Sequence, residues 1–552
     1  MSPITLIYIF MTALFSALLM VPFLHRWALD RNMLDEPDER KFHQQAVPRL
    51  GGIAICFAFI ITMLVYADLS RGIRGILAGA LVMFITGLLD DLSGISSRRK
   101  FFGEICAALT TMAVGHIYIR TLGDLFGIGE IVLPLWLAIP FTLVAIVGVV
   151  NAFNLIDGLD GLAGGVSVIT LVAFGLLAYF SGNSEVVVVC AALLGGLLGF
   201  LKYNFYPARI FMGDTGSLVA GFVISFLAIM LTQCEACEIQ PVVPLLIIGL
   251  PVGDTLWVMI RRVLEGHSPF SADRTHLHHK FLALGLQHRY TVILIYGISL
   301  FWAAVAVFFY DAPAWCLFSG YFLLTLLFYL TIRYLQRHRT LLRFIGQDST
   351  AGIRDSPTYR RLASLVAGTA PLMQIMVLAY LILAVVASSM MGNSFPKLML
   401  VFLVACSGLL YLTRDCCNHF VLAMFYGAGM VISFVVTQSG QVEFPPHMPL
   451  RHMGDMLLLG LSLLMLLRLF FRRMGDFYLT SIDYLLLGVS LFLAMVTPQI
   501  TDQIVLTGVL VRGIIFYAAL KVIAAKGERP ARRMSFAILG AMLLMVVFGY
   551  LR

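Results

Sequence analysis

Apolar runs long enough to cross a lipid bilayer recur from one end of the chain to the other. A helix needs about 20 predominantly apolar residues to span the hydrocarbon core, and the strict alternation of a membrane β-barrel is absent. The pattern therefore predicts an all-α, polytopic integral membrane protein, with about 11 transmembrane helices in an N-terminal core and about 7 in a C-terminal extension.

Three segments follow from this pattern: a core at 1–335, a basic linker at 336–370 that we place in the cytoplasm, and an additional transmembrane domain of unknown role at 371–552. The predicted spans of the core are 3–25, 50–68, 73–90, 101–119, 132–150, 162–180, 186–204, 216–233, 240–260, 291–310 and 315–333. Those of the extension are 371–391, 396–413, 419–437, 454–470, 482–498, 503–522 and 534–551.

The charge distribution orients these spans. Of the 552 residues, 60% are hydrophobic and 12% are charged, with a formal net charge of +8. Lys and Arg collect in the loops that follow odd-numbered spans of the core, whereas Arg71, Arg74 and Arg120 are the ones near even-numbered exits. Cytoplasmic loops of membrane proteins are enriched in Lys and Arg, so the net positive charge does not indicate nucleic acid binding. The odd-numbered exits are predicted to be cytoplasmic and the N-terminus to be outside.

The unusual polar stretches of the core all follow odd-numbered spans, so one composite site on the cytoplasmic face is the simplest explanation. In chain order they are LDEPDERKFHQQAVPRLGG, DDLSGISSRRKF, NAFNLIDGLDGLAGG, FMGDTGS and SADRTHLHHK.

Five carboxylates in these stretches lie at a similar predicted depth: Asp90, Asp91, Asp157, Asp160 and Asp214. For Asp90 and Asp91, which end an apolar run, ordinary solvation of a helix end is the alternative. Like charges near a low-dielectric boundary repel one another, however, unless a cation lies among them. Oxygen ligands favour Mg²⁺, with Mn²⁺ as an alternative, and Mg²⁺ usually needs only one or two carboxylates besides substrate phosphates.

Two further stretches have the composition of anion sites. In FMGDTGS, glycines flank Asp214, and Thr215 and Ser217 add hydroxyl groups. Such a sequence can cap a helix and can also bind phosphate at the helix N-terminus. The segment from Arg274 to Lys280 contains H-L-H-H between two cations, which favours pyrophosphate over zinc because no matching Cys or H-E-x-x-H partner exists. A lipid-boundary site with a divalent metal and an anionic substrate predicts phosphoryl transfer to a lipid phosphate.

These motifs, in this order, resemble those of the polyprenyl-phosphate N-acetylhexosamine-1-phosphate transferases, which form glycosyltransferase family 4 within the phospho-N-acetylmuramoyl-pentapeptide transferase superfamily. The resemblance covers residues 1–335. It implies a Mg²⁺-dependent enzyme that couples a UDP-sugar to undecaprenyl phosphate, giving a lipid-diphosphate sugar and UMP. This would be the first membrane step of a cell-surface polysaccharide such as O-antigen lipopolysaccharide. It also implies the bacterial inner membrane, and a homodimer is compatible with it.

The resemblance assigns roles to matching positions. Asp214 would be the main Mg²⁺ ligand with Asp91 as a second. Asp90 and Asp91 would lie beside the lipid phosphate, one of them as its base, and Asp157 completes the catalytic set. The nucleotide side would be shaped by Asn154, Asp157 and Asp160, uracil would be held by Asn204 and Phe211, and the diphosphate would be contacted by Lys100 and the histidines. The implied substrate-binding residues are Lys100, Asn151, Asn154, Asp160, Asn204, Phe211, Arg274, His276, His278 and His279.

H-L-H-H resembles the H-I-H-H of the N-acetylglucosamine-type enzymes, whereas the muramoyl-pentapeptide enzymes usually carry three consecutive histidines. A simple UDP-N-acetylhexosamine, in the first place UDP-GlcNAc, is therefore the expected donor, and the muramoyl-pentapeptide substrate is the alternative. A lipid or solute transporter is a remote alternative, because its polar residues should lie within spans or on both faces.

The extension matches no family motif, and we expect a structural, regulatory or partner-binding role for it. Arg512 falls near the middle of a predicted span. Such a charge indicates either a functional residue or a misplaced span boundary.

Overall fold

The structure is a computed structural model of the chain. It describes mainly residues 3–31, 33, 47–233, 239–267, 276–337, 368–390, 443–444, 448–470, 504–524 and 528–550. Short pieces between 429 and 493 are described as well. Most of the predicted linker, the first polar loop at 34–46 and Arg274 lie outside the described residues, as do most of the predicted spans 396–413, 419–437 and 482–498.

The chain divides into two compact units. The first comprises Met1–Ile345 with Thr480–Leu485, and the second comprises Gly346–Leu479 with Leu486–Arg552. In the described part of the chain, nine helices are long and apolar enough to cross a membrane. The prediction of an all-α, polytopic membrane protein is therefore confirmed, while the number of spans stays a prediction.

The described helices of the first unit largely overlap the predicted spans, with ends that differ by up to six residues, because continuous apolar length is a strong signal for a membrane helix. They are α1 (Pro3–Asp30), α2 (Gly51–Tyr66), α3 (Arg71–Ser93), α4 (Ser97–Gly115), α5 (Leu135–Ile156), α6 (Leu162–Phe180), α7 (Ser184–Asn204), α8 (Gly213–Thr232), α9 (Val242–Ile247), α10 (Gly249–Leu264), α11 (Leu277–Ala283), α12 (His288–Phe308) and α13 (Ala314–Arg337). The short helix at Leu277–Ala283 was not predicted.

The single predicted span at 240–260 is wrong, because the chain forms two helices there, α9 and α10, with Ile248 between them. Pro251 explains the break. It has no N–H to donate to the carbonyl of residue 247, and its ring clashes with the preceding turn. Helix α10 then continues past the predicted end to Leu264 and carries Arg261 and Arg262 in its last turn.

Helix α8 lies at the centre of the first unit and is almost entirely buried. It is apolar on all sides, as a helix surrounded by others must be, and it packs against α2, α3, α5 and α6. Glycine allows the closest of these approaches. A Cβ atom on Gly52 of α2 would lie 2.2 Å from the backbone nitrogen of Gly216, and one on Gly87 of α3 would lie 2.5 Å from the Cα of Thr215.

The second unit is also mainly helical in its described part. Its helices are α14 (Ala370–Met390), α15 (Leu450–Phe470), α16 (Ile504–Ala524) and α17 (Glu528–Tyr550), and residues Glu443–Phe444 (β1) pair antiparallel with Met448–Pro449 (β2). Helix α14 contacts each of the other three helices.

Arg512 lies inside α16 and is 6% exposed, so the explanation by a misplaced boundary is wrong. Its guanidinium group binds the Asp455 carboxylate of α15 through two contacts, Nε to Oδ1 at 2.6 Å and Nη2 to Oδ2 at 3.0 Å. This forked geometry pairs the buried guanidinium group with a carboxylate whose side chain is 44% exposed.

We predict that Gly52→Ala destabilises the protein, because the new methyl group meets the α8 backbone, which cannot move without shifting the central helix. Overpacking of this kind costs about 1–3 kcal/mol. The apparent Tm of the detergent-purified protein measures the effect. Gly297→Ala is the matched control, since a Cβ atom there has no neighbour within 4 Å. An unchanged Tm for Gly52→Ala would contradict the close α2–α8 packing.

Candidate active site

Polar side chains from four helices meet at one end of the first unit, around Lys100 at the start of α4. Its Nζ atom lies 3.1 Å from Asp90 Oδ2 of α3 and 3.1 Å from Asp214 Oδ1 of α8. It also approaches Asn154 Oδ1 of α5 at 3.5 Å. The Asn154 amide nitrogen donates to Asp214 Oδ1 and, at 2.9 Å, to the hydroxyl of Ser217. Stretches far apart in the chain therefore form one cluster.

The start of α8 is closed by Asp91, a carboxylate from another helix. The backbone N–H groups of Asp214 and Thr215 donate to Asp91 Oδ1 and Oδ2 at 2.8 and 2.9 Å, and the Thr215 hydroxyl also donates to Oδ2. The first N–H groups of a helix have no partner within the helix, and a carboxylate there also favours the helix dipole. Asp91, which the family resemblance implies as a metal ligand, acts in this structure as a cap.

Gly213 makes room for this cap. Its φ of +68° is left-handed, and a Cβ atom would lie 2.6 Å from both Asp91 Oδ2 and the carbonyl oxygen of Arg49. Any other residue would be strained and would push against the cap. The first glycine of the G-D-T-G-S motif is thus required by the approach of Asp91.

Lys100 compensates part of the negative charge of the cluster. The side chains of Lys100, Asp90 and Asp214 are 16%, 12% and 31% exposed. Two carboxylates this far out of water repel each other strongly unless a cation lies between them. The ammonium group occupies that position.

Asp157 faces the same cluster from the loop that follows α5. Burial, and then the negative charges of Asp214 and Asp91, raise the pKa of the Asp157 carboxyl to about 8. The charged form is therefore disfavoured at neutral pH as long as no further cation is present. The site has more carboxylates than Lys100 alone can balance.

A divalent metal fits this donor set only if its substrate completes the coordination. No group of three or more His, Cys, Asp or Glu side chains in the described ranges is arranged to hold a metal ion. Asp90 and Asp214 nevertheless already share one cation, Lys100. Mg²⁺ is typically bound by one or two carboxylates together with phosphate oxygens and water, so the residues suit a metal that arrives with a phosphate-bearing substrate.

Asn204 bonds to the backbone of two loops. It is 3% exposed; its Oδ1 accepts from the Gly161 N–H at 3.0 Å, and its Nδ2 donates to the Ile210 carbonyl at 2.9 Å. The amide thus joins the two loops, and its contact with uracil stays a prediction. Asp160 acts similarly, accepting from the Ala208 N–H at 3.0 Å.

The remaining predicted residues flank the cluster. Phe211 is half-buried, and its backbone pairs with Pro48 and Gly51. The Asn151 amide donates to Glu104 Oε2 at 2.7 Å. Glu104 is 1% exposed and was missed by the sequence reasoning, although an acidic residue within an apolar run is the signal that could have found it.

The H-L-H-H segment packs directly against the Asp157–Asp160 loop. His278 is buried at the start of α11, and a Cβ atom on Gly158 would lie 2.4 Å from its Nε2 atom. Burial, with a smaller contribution from His279, lowers the pKa of His278 to about 3. His278 is therefore neutral at physiological pH and does not supply the positive charge expected of this segment. His276 is also buried and contacts Asp254, a second acidic residue that the sequence reasoning missed.

Part of the chain is similar to proteins that are named as transferases. The model of the family described as "Glycosyl transferase family 4" matches residues 73–232. A "Probable undecaprenyl-phosphate N-acetylglucosaminyl 1-phosphate transferase" of Bacillus subtilis is 34% identical over 319 residues, covering 56% of this chain and 87% of the relative. Proteins named "Undecaprenyl-phosphate alpha-N-acetylglucosaminyl 1-phosphate transferase" are similar too. The one from Yersinia pestis is 34% identical over 52% of this chain and 79% of its own length, and the one from Escherichia coli K12 is 33% identical over 50% and 76%.

We predict that Asp91→Asn lowers the apparent Tm, because the amide offers one acceptor where the carboxylate receives three donors. Loss of a helix cap costs about 1–2 kcal/mol. Asp68→Asn, at an exposed aspartate, is the control. Equal Tm values for the two variants would show that Asp91 does not cap α8.

Gly158→Ala is expected to lower the Tm through a clash with the His278 ring. Removing that ring should remove the clash, so in a His278→Ala background the added alanine should have little effect. A double-mutant cycle of Tm values tests this coupling. Additive effects would indicate that residue 158 and His278 are not in contact.

Proposed function

The chain belongs to glycosyl transferase family 4, and on that premise we propose that it transfers N-acetylhexosamine-1-phosphate from a UDP-sugar to undecaprenyl phosphate. The products are undecaprenyl-diphosphate-sugar and UMP, and GlcNAc-1-phosphate is the group we assign first. The relatives named for this activity match over most of their length. The lipid product would begin a cell-surface polysaccharide.

The observation that carries the proposal is the position of the Asp90–Lys100–Asp214 cluster. Three of its elements are the ends of apolar helices, α3, α5 and α8, which are long enough to cross a membrane. A phosphate on a polyprenyl chain lies at this boundary, with its tail in the bilayer and its head in water. The enrichment of Lys and Arg in the same set of loops supports the cytoplasmic face of the bacterial inner membrane.

In the proposed step, an oxygen of the lipid phosphate attacks the phosphorus that carries the sugar. A new P–O bond forms, the bond from this phosphorus to the bridging oxygen of the uridine phosphate breaks, and UMP leaves with the bonding electrons. Asp90 takes the proton of the lipid phosphate where one is present, since Asp91 is engaged as a cap. Lys100 lies next to Asp90 and can neutralise negative charge on the phosphates.

We assign Mg²⁺ to Asp214, with Asp90 as the neighbouring carboxylate; Mn²⁺ is the alternative. When bound there, the metal would act as a Lewis acid that neutralises negative charge on the phosphates. Asn154 orients Asp214 by donating to Oδ1, and Ser217 fixes Asn154 in turn. The protein's part is thus to hold one carboxylate in a defined position.

The proposal also names the UDP-sugar that donates the sugar phosphate. The H-L-H-H pattern and the printed names of the relatives favour UDP-GlcNAc over the muramoyl-pentapeptide donor. The transporter alternative is not favoured, because the polar cluster lies at helix ends and the relatives are named as transferases.

We expect the purified full-length protein to release UMP from UDP-GlcNAc only when undecaprenyl phosphate and Mg²⁺ are both present. Asp214→Asn should lower the rate about 100-fold or more, as loss of a central electrostatic group does, while Asp68→Asn should match the wild type. UMP is measured by a coupled assay, and UDP-MurNAc-pentapeptide is run in parallel. UMP release that persists in excess chelator would contradict the metal assignment, and release without the lipid would contradict the acceptor.

A further inference from the structure

Asp254 is the acidic residue of α10, and it lies outside the cluster around Lys100 and Asp214. It is 6% exposed. Burying a carboxylate destabilises the fold by about several kcal/mol unless hydrogen-bond donors or a cation replace its lost contacts with water. Its partners therefore indicate what the residue does.

These partners come from α11 and α13. The His276 Nδ1 atom lies 2.9 Å from Asp254 Oδ2, and the Leu277 backbone N–H donates to both carboxylate oxygens at 3.1 Å. The Tyr329 hydroxyl donates to Oδ1 at 3.0 Å. The Lys280 ammonium lies 4.9 Å from the centre of the Tyr329 ring, adding positive charge nearby. One carboxylate thus holds the beginning of the histidine segment.

The contact with His276 also determines where that imidazole carries hydrogen. A carboxylate can only accept, so Nδ1 of His276 must be the protonated nitrogen in this contact. In the neutral ring, Nε2 then carries the lone pair and can accept a hydrogen bond from a ligand. In metal and protease sites, a carboxylate behind an imidazole fixes its tautomer and its orientation in the same way.

From His276 the segment continues to the loop of the candidate active site. The rings of His276 and His278 are nearly parallel, 5° apart in orientation with centroids 6.2 Å apart. His278 in turn lies against Gly158, between Asp157 and Asp160. Two buried histidines thus lie between Asp254 and the active-site loop.

We propose that Asp254 is a positioning residue of the transferase: it holds His276 with Nδ1 protonated and anchors the start of α11, so that Nε2 is kept as the ring nitrogen that accepts a hydrogen bond during turnover. The role in turnover rests on the proposed function. Asp254 touches no substrate itself. Its effect on turnover passes through His276, which distinguishes it from a carboxylate that merely holds α10 and α13 together.

The kinetic test is a double-mutant cycle in the full-length protein. In Asp254→Asn, the amide NH₂ group opposes His276 Nδ1 and favours the other tautomer. We expect kcat/KM for UDP-GlcNAc to fall about 10–100-fold, the usual effect of losing a group behind a functional histidine. His276→Gln alone and Asp254→Asn/His276→Gln should show equal losses, because the imidazole that Asp254 orients is gone and Oδ1 of the asparagine can still accept from the Leu277 N–H. Multiplied losses in the double variant would overturn the proposal.

Two further variants separate positioning from packing. Tyr329→Phe removes a donor to the carboxylate but leaves the His276 contact, so kcat/KM should change less than about threefold, within the range of one weak hydrogen bond. Asp254→Glu should restore much of the activity lost in Asp254→Asn. A cavity of about 490 Å³, lined in part by Gly253, Asp254 and Phe301, has room for the additional methylene group. Equal losses in the Glu and Asn variants, with unchanged Tm, would count against a carboxylate-dependent role.

Hydrogen–deuterium exchange, which does not require enzymatic activity, tests whether Asp254 holds the start of α11. Asp254→Leu removes every acceptor for the Leu277 N–H, so hydrogen–deuterium exchange in a peptide covering 276–283 should become faster than in the wild type. Unchanged exchange would overturn the anchoring. If the wild type releases no UMP from UDP-GlcNAc and undecaprenyl phosphate, the proposed function fails, and the exchange experiment still decides whether Asp254 holds the histidine segment.

Discussion

The cap that Asp91 places on α8 is the interaction on which the geometry of the candidate site depends. It joins the end of one helix to the beginning of another across 123 residues of sequence. Because Asp214 is the second residue of α8, fixing the first turn also fixes the direction in which its carboxylate leaves the backbone. The glycines at 52, 87 and 213 let the surrounding backbones come close enough for this contact. The close helix packing and the position of the Asp214 carboxylate therefore depend on each other.

Electrostatic balance is the second requirement. Asp90 and Asp214 share Lys100, whereas Asp157 has a pKa raised to about 8 because burial and its acidic neighbours disfavour its charge. A site in this state gains by accepting a cation. The neutral His278 packs beside Asp157's loop and adds no charge of its own. Lys100 supplies positive charge within the carboxylate cluster.

Much of the fold could be predicted from the sequence, because a membrane helix is specified by local apolar length. Helices α6 and α7 begin and end within two residues of their predicted spans. The break between α9 and α10 was not predicted, because apolar length does not show which hydrogen bond of the helix Pro251 removes. Roles that depend on tertiary partners were harder to predict. Asn204 matches a ligand-binding pattern and also bonds to backbone, and Asp254, whose partner His276 is distant in sequence, was not predicted. A motif identifies residue types, but only packing shows which of their atoms remain available.

The forked pair between Arg512 and Asp455 has a consequence for how the second unit enters the membrane. An isolated arginine at the centre of a helix raises the cost of insertion by about 2.5–3.5 kcal/mol. Helix α15, which carries Asp455, is synthesised before α16. If α15 is still next to the translocon when α16 is inserted, the Asp455 carboxylate can bind the Arg512 guanidinium group at that stage. Biogenesis of this unit would then proceed by pairwise partitioning rather than one helix at a time.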